Sequence, residues 1–427
     1  MQHSGLTVSY PRTEYVVNPI GIDVVRPRLS WLVASDERNQ IQTAYQVLAA
    51  SAPELLDANT GDLWDSGRVE SRDTAHIVYE GVPLISRQEV WWKVRVWDGH
   101  GQPSAWSETA TWELGFLKLI EWQGAWIEHP GLVPDPAIPE AKELDALLPV
   151  SLFRRSFHIN RPLVRARLYA TARGVYEPRL NGSRVGDQVL APGWTNYNRR
   201  LQVQAFDVTD ALRSGENVLG AELGTGWYAG YVGWKHSCRH YGSVSQLLMQ
   251  LHLDYADGSG EVIATDADWL ATSGAVRYSD FIMGEYYDAR LEQRGWDAPG
   301  FDPVGWSAVR TSNINAVPLV GDCSPPVRAL EEIEPVSIRE ATPGTYIVDL
   351  GQNIAGWVRL KVTGEAGTRV TLRFAEILNL DGSLYTSNLR SARATDTYIL
   401  HGGGEEVFEP RFTWHGFRYV EVSGYPG

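Results

Sequence analysis

Hydrophobic and polar residues alternate along most of this chain. In the segment 90–97, Trp92, Val94 and Val96 fall on one face, and residues of mixed polarity fall on the other. The same alternation recurs at 165–172. Successive side chains of a β-strand point to opposite faces, so this pattern predicts strands. Because no window keeps a helical period, the sequence predicts an all-β chain.

Turn signals and proline-rich breaks divide the pattern into regions. The first 118 residues contain short strands separated by turns, which predicts an antiparallel sandwich. Four prolines between residues 130 and 139 mark a linker or long loop, and a larger β region follows from Ser151. A second break at 324–326 precedes a final alternating region. The length of 427 residues is consistent with about three domains.

The charge and the cysteine content exclude several classes of protein. A net charge of −14 argues against a general binder of nucleic acids or anionic membranes, since both need a cationic face. Cys238 and Cys323 are the only cysteines, too few for a disulfide-built secreted scaffold. Residues 1–5 do not resemble a signal peptide, and no apolar run approaches the roughly 18 residues of a membrane helix. We therefore expect a soluble, cytoplasmic protein with free thiols.

Tryptophan and tyrosine are abundant, with 17 Trp and 19 Tyr against 10 Phe. Indole rings stack on the apolar faces of sugars, and amides bond sugar hydroxyls. Trp194 and Asn196 lie in one glycine-containing loop, and Trp227 and Tyr228 lie in another. These four residues are the candidates for sugar binding. The alternative is that both tryptophans fill the core of a sandwich.

The segment 236–240 is a candidate metal site. If it is a strand, His236, Cys238 and His240 share one face, and two imidazoles with a thiolate could hold zinc. The alternative is a polar loop in which these residues are neighbours by chance. The alternative is favoured, and the sequence predicts no metal site.

Glu285 and Asp288 are the candidate pair of catalytic carboxylates. Glycosidases need an acid and a base about 5 to 10 Å apart, and these two carboxylates lie among aromatic residues that could raise a pKa. The alternative is that they form ion pairs with Arg290 or Arg294. With 52 acidic residues in the chain, a close pair of carboxylates is expected by chance.

Motifs that carry a family resemblance occur in order from about residue 15 onward. They are NPIGID at 18–23, RPRLSW at 26–31, QTAYQV at 42–47, LWDSG at 63–67, WKVRVWD at 92–98, LNG at 180–182, APGWT at 191–195, GWY at 226–228, DLGQN at 349–353, NLRSA at 388–392, TDTY at 395–398 and HGFRYVE at 415–421. The chain resembles the bacterial α-L-rhamnosidases of glycoside hydrolase family 78.

This resemblance implies three domains. They are a fibronectin type III or immunoglobulin-like sandwich at 1–118, a jelly-roll domain with an expected role in carbohydrate binding at 119–327, and a concanavalin-like sandwich at 328–427. Some relatives bind rhamnose through a calcium-dependent module that resembles the second domain. No calcium ligands can be matched here, so calcium is left open and no other cofactor is expected.

The resemblance also implies that the whole protein is an inverting α-L-rhamnosidase acting on terminal rhamnosides of plant glycosides or polysaccharides. In the family, an (α/α)₆ barrel after the sandwich carries the catalytic acid and base. Its motif, Asp-x-Pro-x-x-Asp-Glu-Arg, is absent from this sequence, which ends at Gly427 about where a linker would start. We therefore expect a non-catalytic β portion, inactive alone, with the barrel as its partner and no catalytic residue. The alternatives are a lectin-like protein that only binds sugar and a structural module with exposed tryptophans.

Overall fold

The computed structural model describes residues 5–144, 146–314 and 317–426. Residues 1–4 and Gly427, which enter the expectations about a signal peptide and about the chain end, lie outside these ranges. Within them the prediction of an all-β chain is confirmed: strands dominate, the α-helices are three short ones, and no helical barrel is present. None of the described helices has the length and apolarity that crossing a bilayer requires.

The elements are numbered in chain order. The strands are β1 (Thr7–Thr13), β2 (Ile20–Ile22), β3 (Arg28–Ala34), β4 (Ala44–Ala50), β5 (Trp64–Asp65), β6 (Ile77–Val78), β7 (Glu89–Trp97), β8 (Ala110–Leu114), β9 (Trp126–Glu128), β10 (Ser151–Ile159), β11 (Leu163–Arg173), β12 (Val175–Leu180), β13 (Ser183–Arg184), β14 (Leu201–Asp207), β15 (Gly215–Gly224), β16 (Gln246–Tyr255), β17 (Gly260–Ala264), β18 (Leu270–Ser273), β19 (Val276–Asp280), β20 (Gly284–Asp288), β21 (Ser307–Ala308), β22 (Arg310–Ser312), β23 (Leu319–Gly321), β24 (Ser337–Thr342), β25 (Thr345–Gly356), β26 (Leu360–Thr363), β27 (Arg369–Ala375), β28 (Thr395–Ile399), β29 (Glu405–Phe408) and β30 (His415–Ser423). The α-helices are α1 (Pro53–Asp57), α2 (Pro139–Glu143) and α3 (Gly226–Ala229).

The described residues form two compact units. The first comprises residues up to Gln123 with the short segments 202–206 and 319–325. In it, the sheet β1-β3-β6 and the sheet β2-β8-β7-β4-β5 share one core. Trp31, Trp92 and Trp112 are buried there, since the alternating strands point one face inward. The β2–β8 pair is parallel, whereas the sequence predicted an antiparallel sandwich.

The second unit comprises residues 124–201, 207–318 and 326 onward. One of its sheets has the order β13-β12-β15-β10-β18-β21, and β11 and β16 form the longest antiparallel ladder of a second sheet. Asn181 and Gly182 both have positive φ, as the type I′ turn between β12 and β13 requires.

A third sheet of the second unit has the order β19-β20-β28-β27-β30-β25-β24. It joins two strands that precede residue 290 to strands that follow residue 336. The link is a parallel pairing of β20 with β28, in which Tyr286 lies opposite Thr397 and Asp288 lies opposite Ile399. Residues far apart in sequence therefore lie next to each other in one sheet.

Candidate functional site

The predicted sugar-binding residues lie on two loops of the second unit. Trp194 and Asn196 follow β13, and Trp227 and Tyr228 lie in α3, directly after β15. Helix α3 begins at Gly226, which has a positive φ of 51° and leaves no room for a Cβ, since that atom would lie 2.7 Å from the carbonyl carbon of Gly174. The glycine thus fixes where Trp227 leaves the sheet.

The structure brings Trp194 and Trp227 together. Their rings stack with centroids 4.5 Å apart and an interplanar angle of 17°. Trp227 also packs on Phe281 at 4.5 Å and contacts a buried apolar cluster. Trp227 is partly buried and supports the other ring, whereas Trp194 is 52% exposed and presents a ring face to solvent.

A polar edge lies beside the exposed indole. The Nε1–H of Trp194 donates to the Tyr241 hydroxyl at 3.3 Å. Tyr241 is held by edge-to-face contacts with Tyr197 and His240. Burial raises the pKa of Tyr197, whose hydroxyl donates to the Gly193 carbonyl at 2.8 Å. This arrangement holds the Trp194 ring in a defined orientation.

Asn196 and Tyr228 contribute mainly to the shape of these loops. The Asn196 side-chain oxygen accepts from the backbone N–H of Asn198 at 3.2 Å, and its carbonyl accepts from the N–H of Arg199 at 2.7 Å. Its side chain is exposed on the turn that follows Trp194. Tyr228 is half-buried and meets Tyr197 edge-to-face at 5.6 Å. Of the four predicted residues, Trp194 and Asn196 are the exposed ones.

The segment 236–240 is not a strand, so the geometry required by the zinc hypothesis is absent. His236 and Arg239 both have positive φ, which breaks the alternation that would place the three ligands on one face. The His236 ring lies against Tyr231, and the His240 ring lies against Tyr241. Among the residues that the structure describes, no group of three or more His, Cys, Asp or Glu side chains could hold a metal ion. The described geometry therefore gives no support to the zinc hypothesis, and residues 236–240 lie in an irregular loop.

The carboxylates Glu285 and Asp288 do not form a catalytic pair. Asp288 binds Arg290 through two hydrogen bonds of 2.8 and 2.7 Å, as the ion-pair alternative predicted. Glu285 is fully buried, and its carboxylate accepts from the backbone N–H groups of Arg411 and Phe412, each at 3.1 Å. Because Glu285 has no access to solvent, it cannot reach a substrate.

A polar cluster that the sequence analysis did not identify lies close to Glu285. The backbone N–H of Glu285 donates to the Asp396 carboxylate at 2.9 Å, and Asp396 is hydrogen-bonded to the buried His415 at 3.1 Å. Arg411 bonds Glu222 of β15. One feature of the sequence could have indicated this cluster: the charged residues 177 and 179 alternate with buried residues along β12, which places both charges on one face of the strand.

Two buried carboxyl groups make the stability of the second unit depend on pH. Burial raises the pKa of Glu285 to about 8 and that of Asp280 to about 6. Both carboxyl groups keep their protons to higher pH in the folded chain than in the unfolded chain. Their contribution to the free energy of unfolding is therefore full at low pH and is lost as pH rises through the folded pKa. Asp396 and Arg411 are the charged groups that face Glu285.

We expect the free energy of unfolding to fall by roughly 1 kcal/mol between about pH 7 and about pH 8.5, where Glu285 titrates and Asp280 is already ionised. Urea unfolding at the two pH values measures the difference. Glu285→Gln removes the titration and should abolish the decrease, whereas Asp280→Asn should retain it. An unchanged decrease in Glu285→Gln would assign the pH dependence to another group.

Family models match three consecutive regions of the chain. The immunoglobulin domain found at the N-terminus of Rha78A-like proteins matches residues 8–118. The α-L-rhamnosidase N-terminal domain matches residues 161–331, and the concanavalin-like domain of bacterial α-L-rhamnosidases matches residues 339–427.

Curated and solved relatives agree with these matches. An α-L-rhamnosidase of Streptomyces avermitilis is 36% identical over 99% of this chain and 56% of its own length, and one of Formosa agariphila is 38% identical over 96% and 44%. The crystal structure of the Streptomyces avermitilis enzyme complexed with L-rhamnose superposes with a TM-score of 0.91 at 35% identity, covering 99% of this chain and 56% of that one. The α-L-rhamnosidase from Dictyoglumus thermophilum gives 0.89 at 38% identity, covering 98% and 47%. The chain spans about half the length of the relatives it matches.

Proposed function

The chain belongs to the bacterial α-L-rhamnosidase family, of which it represents the N-terminal β-domains, and we propose that it serves as the non-catalytic part of an enzyme that hydrolyses terminal α-L-rhamnosides. The observation that carries this proposal is the succession of three rhamnosidase domains in family order. The described residues contain no helical barrel, and the one carboxylate pair singled out in the sequence is unsuited to catalysis. We propose that the acid and base of such an enzyme lie outside these β-domains.

The reaction proposed for the whole protein is an inverting hydrolysis. A protonated carboxylic acid donates to the leaving oxygen, and a carboxylate activates a water on the opposite face of the sugar. The proposed substrates are terminal rhamnosides of plant glycosides or polysaccharides. No residue of this chain is assigned to either proton transfer, and the proposed partner of these domains is the catalytic domain of the same protein.

We expect the purified 427-residue chain to release no aryl leaving group from an aryl α-L-rhamnoside above the rate in buffer. The full-length Streptomyces avermitilis relative serves as the positive control. A rate that scales with the concentration of this chain, and that survives further purification, would place an active site within the β-domains and contradict the proposal.

The intact mass of the native protein from its source cells distinguishes the leading function from a second candidate. A mass roughly twice that of this chain would support the working enzyme. A mass near 47.6 kDa would favour a lectin-like protein that binds sugar without hydrolysis. The exposed ring of Trp194 is the observation that supports this second candidate.

Sugar binding is proposed at the face of Trp194, with Asn196 as a polar neighbour and Trp227 and Tyr228 as supporting residues. An exposed indole held by a stacked ring offers an ordered platform for the apolar face of a sugar. We expect Trp194→Ala to weaken the binding of L-rhamnose about tenfold, as measured by isothermal titration calorimetry with and without calcium. Trp234→Ala is the control, because Trp234 is 82% exposed in a neighbouring loop. An unchanged affinity in a folded Trp194→Ala variant would contradict the assignment.

Domain limits at 1–118, 119–327 and 328–427 and a cytoplasmic location are proposed as well. The matched regions support the limits, although β20 pairs with β28 across the second of them. Both cysteines are free thiols, which suits a reducing compartment. Limited proteolysis and cell fractionation test these two proposals.

A further inference from the structure

A cleft of about 480 Å³ opens in the second unit, and its lining includes none of the four residues that the sequence singled out for sugar binding. Its lining includes β15 at Glu222, the loop 292–298 and Arg411. A volume of this order is typical of sites that enclose small molecules. The cleft contains charged side chains with fixed partners, which distinguishes it from an ordinary surface depression.

Two charged side chains of neighbouring strands, Arg179 and Glu222, line the cleft, and the carboxylate of Glu177 lies behind them as a partner in this charged row. Glu177 and Glu222 lie directly opposite each other in the β12–β15 ladder, so their side chains share one face of the sheet. Arg179, two residues along β12, lies on the same face and binds Glu177 at 3.1 Å and Asp297 at 2.8 Å. Two opposed carboxylates are unfavourable unless cations lie between them, and here arginines do.

Arg411, from a distant segment of the chain, also lines the cleft and contacts this row. It bonds Glu222 and lies 4.0 Å from Glu177. Its backbone N–H is bonded to the buried Glu285, which fixes the start of the side chain. The Arg411 side chain is 37% exposed although it is held at both ends. The guanidinium therefore faces the cleft in a preset position, and little conformational entropy remains to be lost when a ligand binds.

An aromatic ring completes one wall. Trp296 packs over Gly220 on the sheet, and a Cβ at Gly220 would lie only 2.9 Å from the indole. The glycine thus makes room for a large flat ring beside the charged row. Tyr287 also lines the cleft, and its hydroxyl donates to Glu292 at 2.9 Å. Trp296 is only 8% exposed, so its role is to pack behind the charged row, and the ordered carboxylates and guanidinium groups are the partners that the hydroxyls of a polyhydroxylated ring need.

The charges that line the cleft decide the class of ligand. The charged side chains of the lining are three arginines and three carboxylates, namely Arg179, Arg294, Arg411, Glu222, Glu292 and Asp297. Because these charges balance, a charged ligand gains little net attraction. A neutral sugar suits this lining better, because each hydroxyl can donate to a carboxylate while its neighbour accepts from a guanidinium. We propose that the cleft between β15, the loop 292–298 and Arg411 binds a neutral pyranose, at a site separate from Trp194. This proposal does not depend on the proposed hydrolase function.

Calorimetric titration with L-rhamnose in the Trp194→Ala background tests the cleft without interference from the aromatic loops. We expect measurable binding there, and we expect Ala298→Phe, which places a ring in the cleft, to weaken it at least about tenfold. Arg294→Ala, at a side chain that is 75% exposed, should weaken it several-fold without harming the fold. Val304→Phe is the control, because Val304 is 83% exposed and does not line the cleft.

Several results would overturn the proposal. One is an absence of L-rhamnose binding in the Trp194→Ala background. Another is an affinity that Ala298→Phe leaves unchanged while its melting temperature shows an intact fold. Tighter binding of D-galacturonate than of L-rhamnose would show that the cleft selects an anion and not a neutral sugar. The first of these results would reject the cleft as a sugar site and would leave the site at Trp194 unaffected.

Discussion

Arg411→Met should lower the free energy of unfolding by about 3 kcal/mol, because it leaves a buried carboxylate without its cation. Glu222 has a side chain only 5% exposed, and Arg411 bonds it directly. Burial already raises the pKa of Glu222, so without Arg411 this group takes up a proton instead of remaining charged. Protonation of Glu222 and the partial exposure of Arg411 limit the loss to the lower end of the range for broken buried ion pairs.

Urea unfolding of four proteins measures this effect: the wild type, both single variants and the double variant Glu222→Gln with Arg411→Met. In the Glu222→Gln background, Arg411→Met should cost much less, since no carboxylate remains to be left unpaired. Arg26→Met is the exposed control, because Arg26 and Glu80 have side chains 62% and 67% exposed, and it should change stability by at most about 0.5 kcal/mol. Strictly additive losses in the double variant would show that Arg411 acts through packing alone.

The alternating pattern was enough to predict the strands, because alternation reports directly on a sheet with one buried face. Most of the predicted strand segments occur as strands, and residues 165–172 lie within β11. The aromatic loops were also predictable as a group. The different roles of Trp194 and Trp227 were not, since they depend on Phe281, which lies more than fifty residues further along the chain.

Glu285 shows why local sequence could not assign the carboxylates. Among tyrosines it resembled a residue with a tuned pKa, and burial does raise its pKa to about 8. Its partners are backbone N–H groups at residues 411 and 412. These N–H groups lie near Glu285 in a part of the sheet where β20 pairs in parallel with β28. No periodicity in either strand specifies that pairing. The charged cleft was missed for the same reason, since its two sides come from distant segments.

Gly284→Ala should lower the free energy of unfolding by about 3 to 5 kcal/mol, combining backbone strain with overpacking. Gly284 begins β20 with a φ of 103°, which residues with a Cβ rarely adopt. A Cβ there would lie 2.0 Å from the carbonyl oxygen of Thr395 and 2.8 Å from a carboxylate oxygen of Asp396. Both neighbours belong to β28, so relief requires moving one strand away from the other.

Gly305→Ala separates the two causes, because Gly305 has a φ of 86° but no atom within 4 Å of the added Cβ. It should cost only the backbone penalty of about 1 to 2 kcal/mol. The excess loss in Gly284→Ala then measures the close approach of β20 to β28. That contact also holds Glu285 under the backbone of Arg411 and so sets the position of the guanidinium in the cleft. Gly284→Ala should therefore weaken L-rhamnose binding in the Trp194→Ala background, whereas Gly305→Ala should not. Equal losses of stability in the two variants would mean that the strands separate freely and that this contact does not position Arg411.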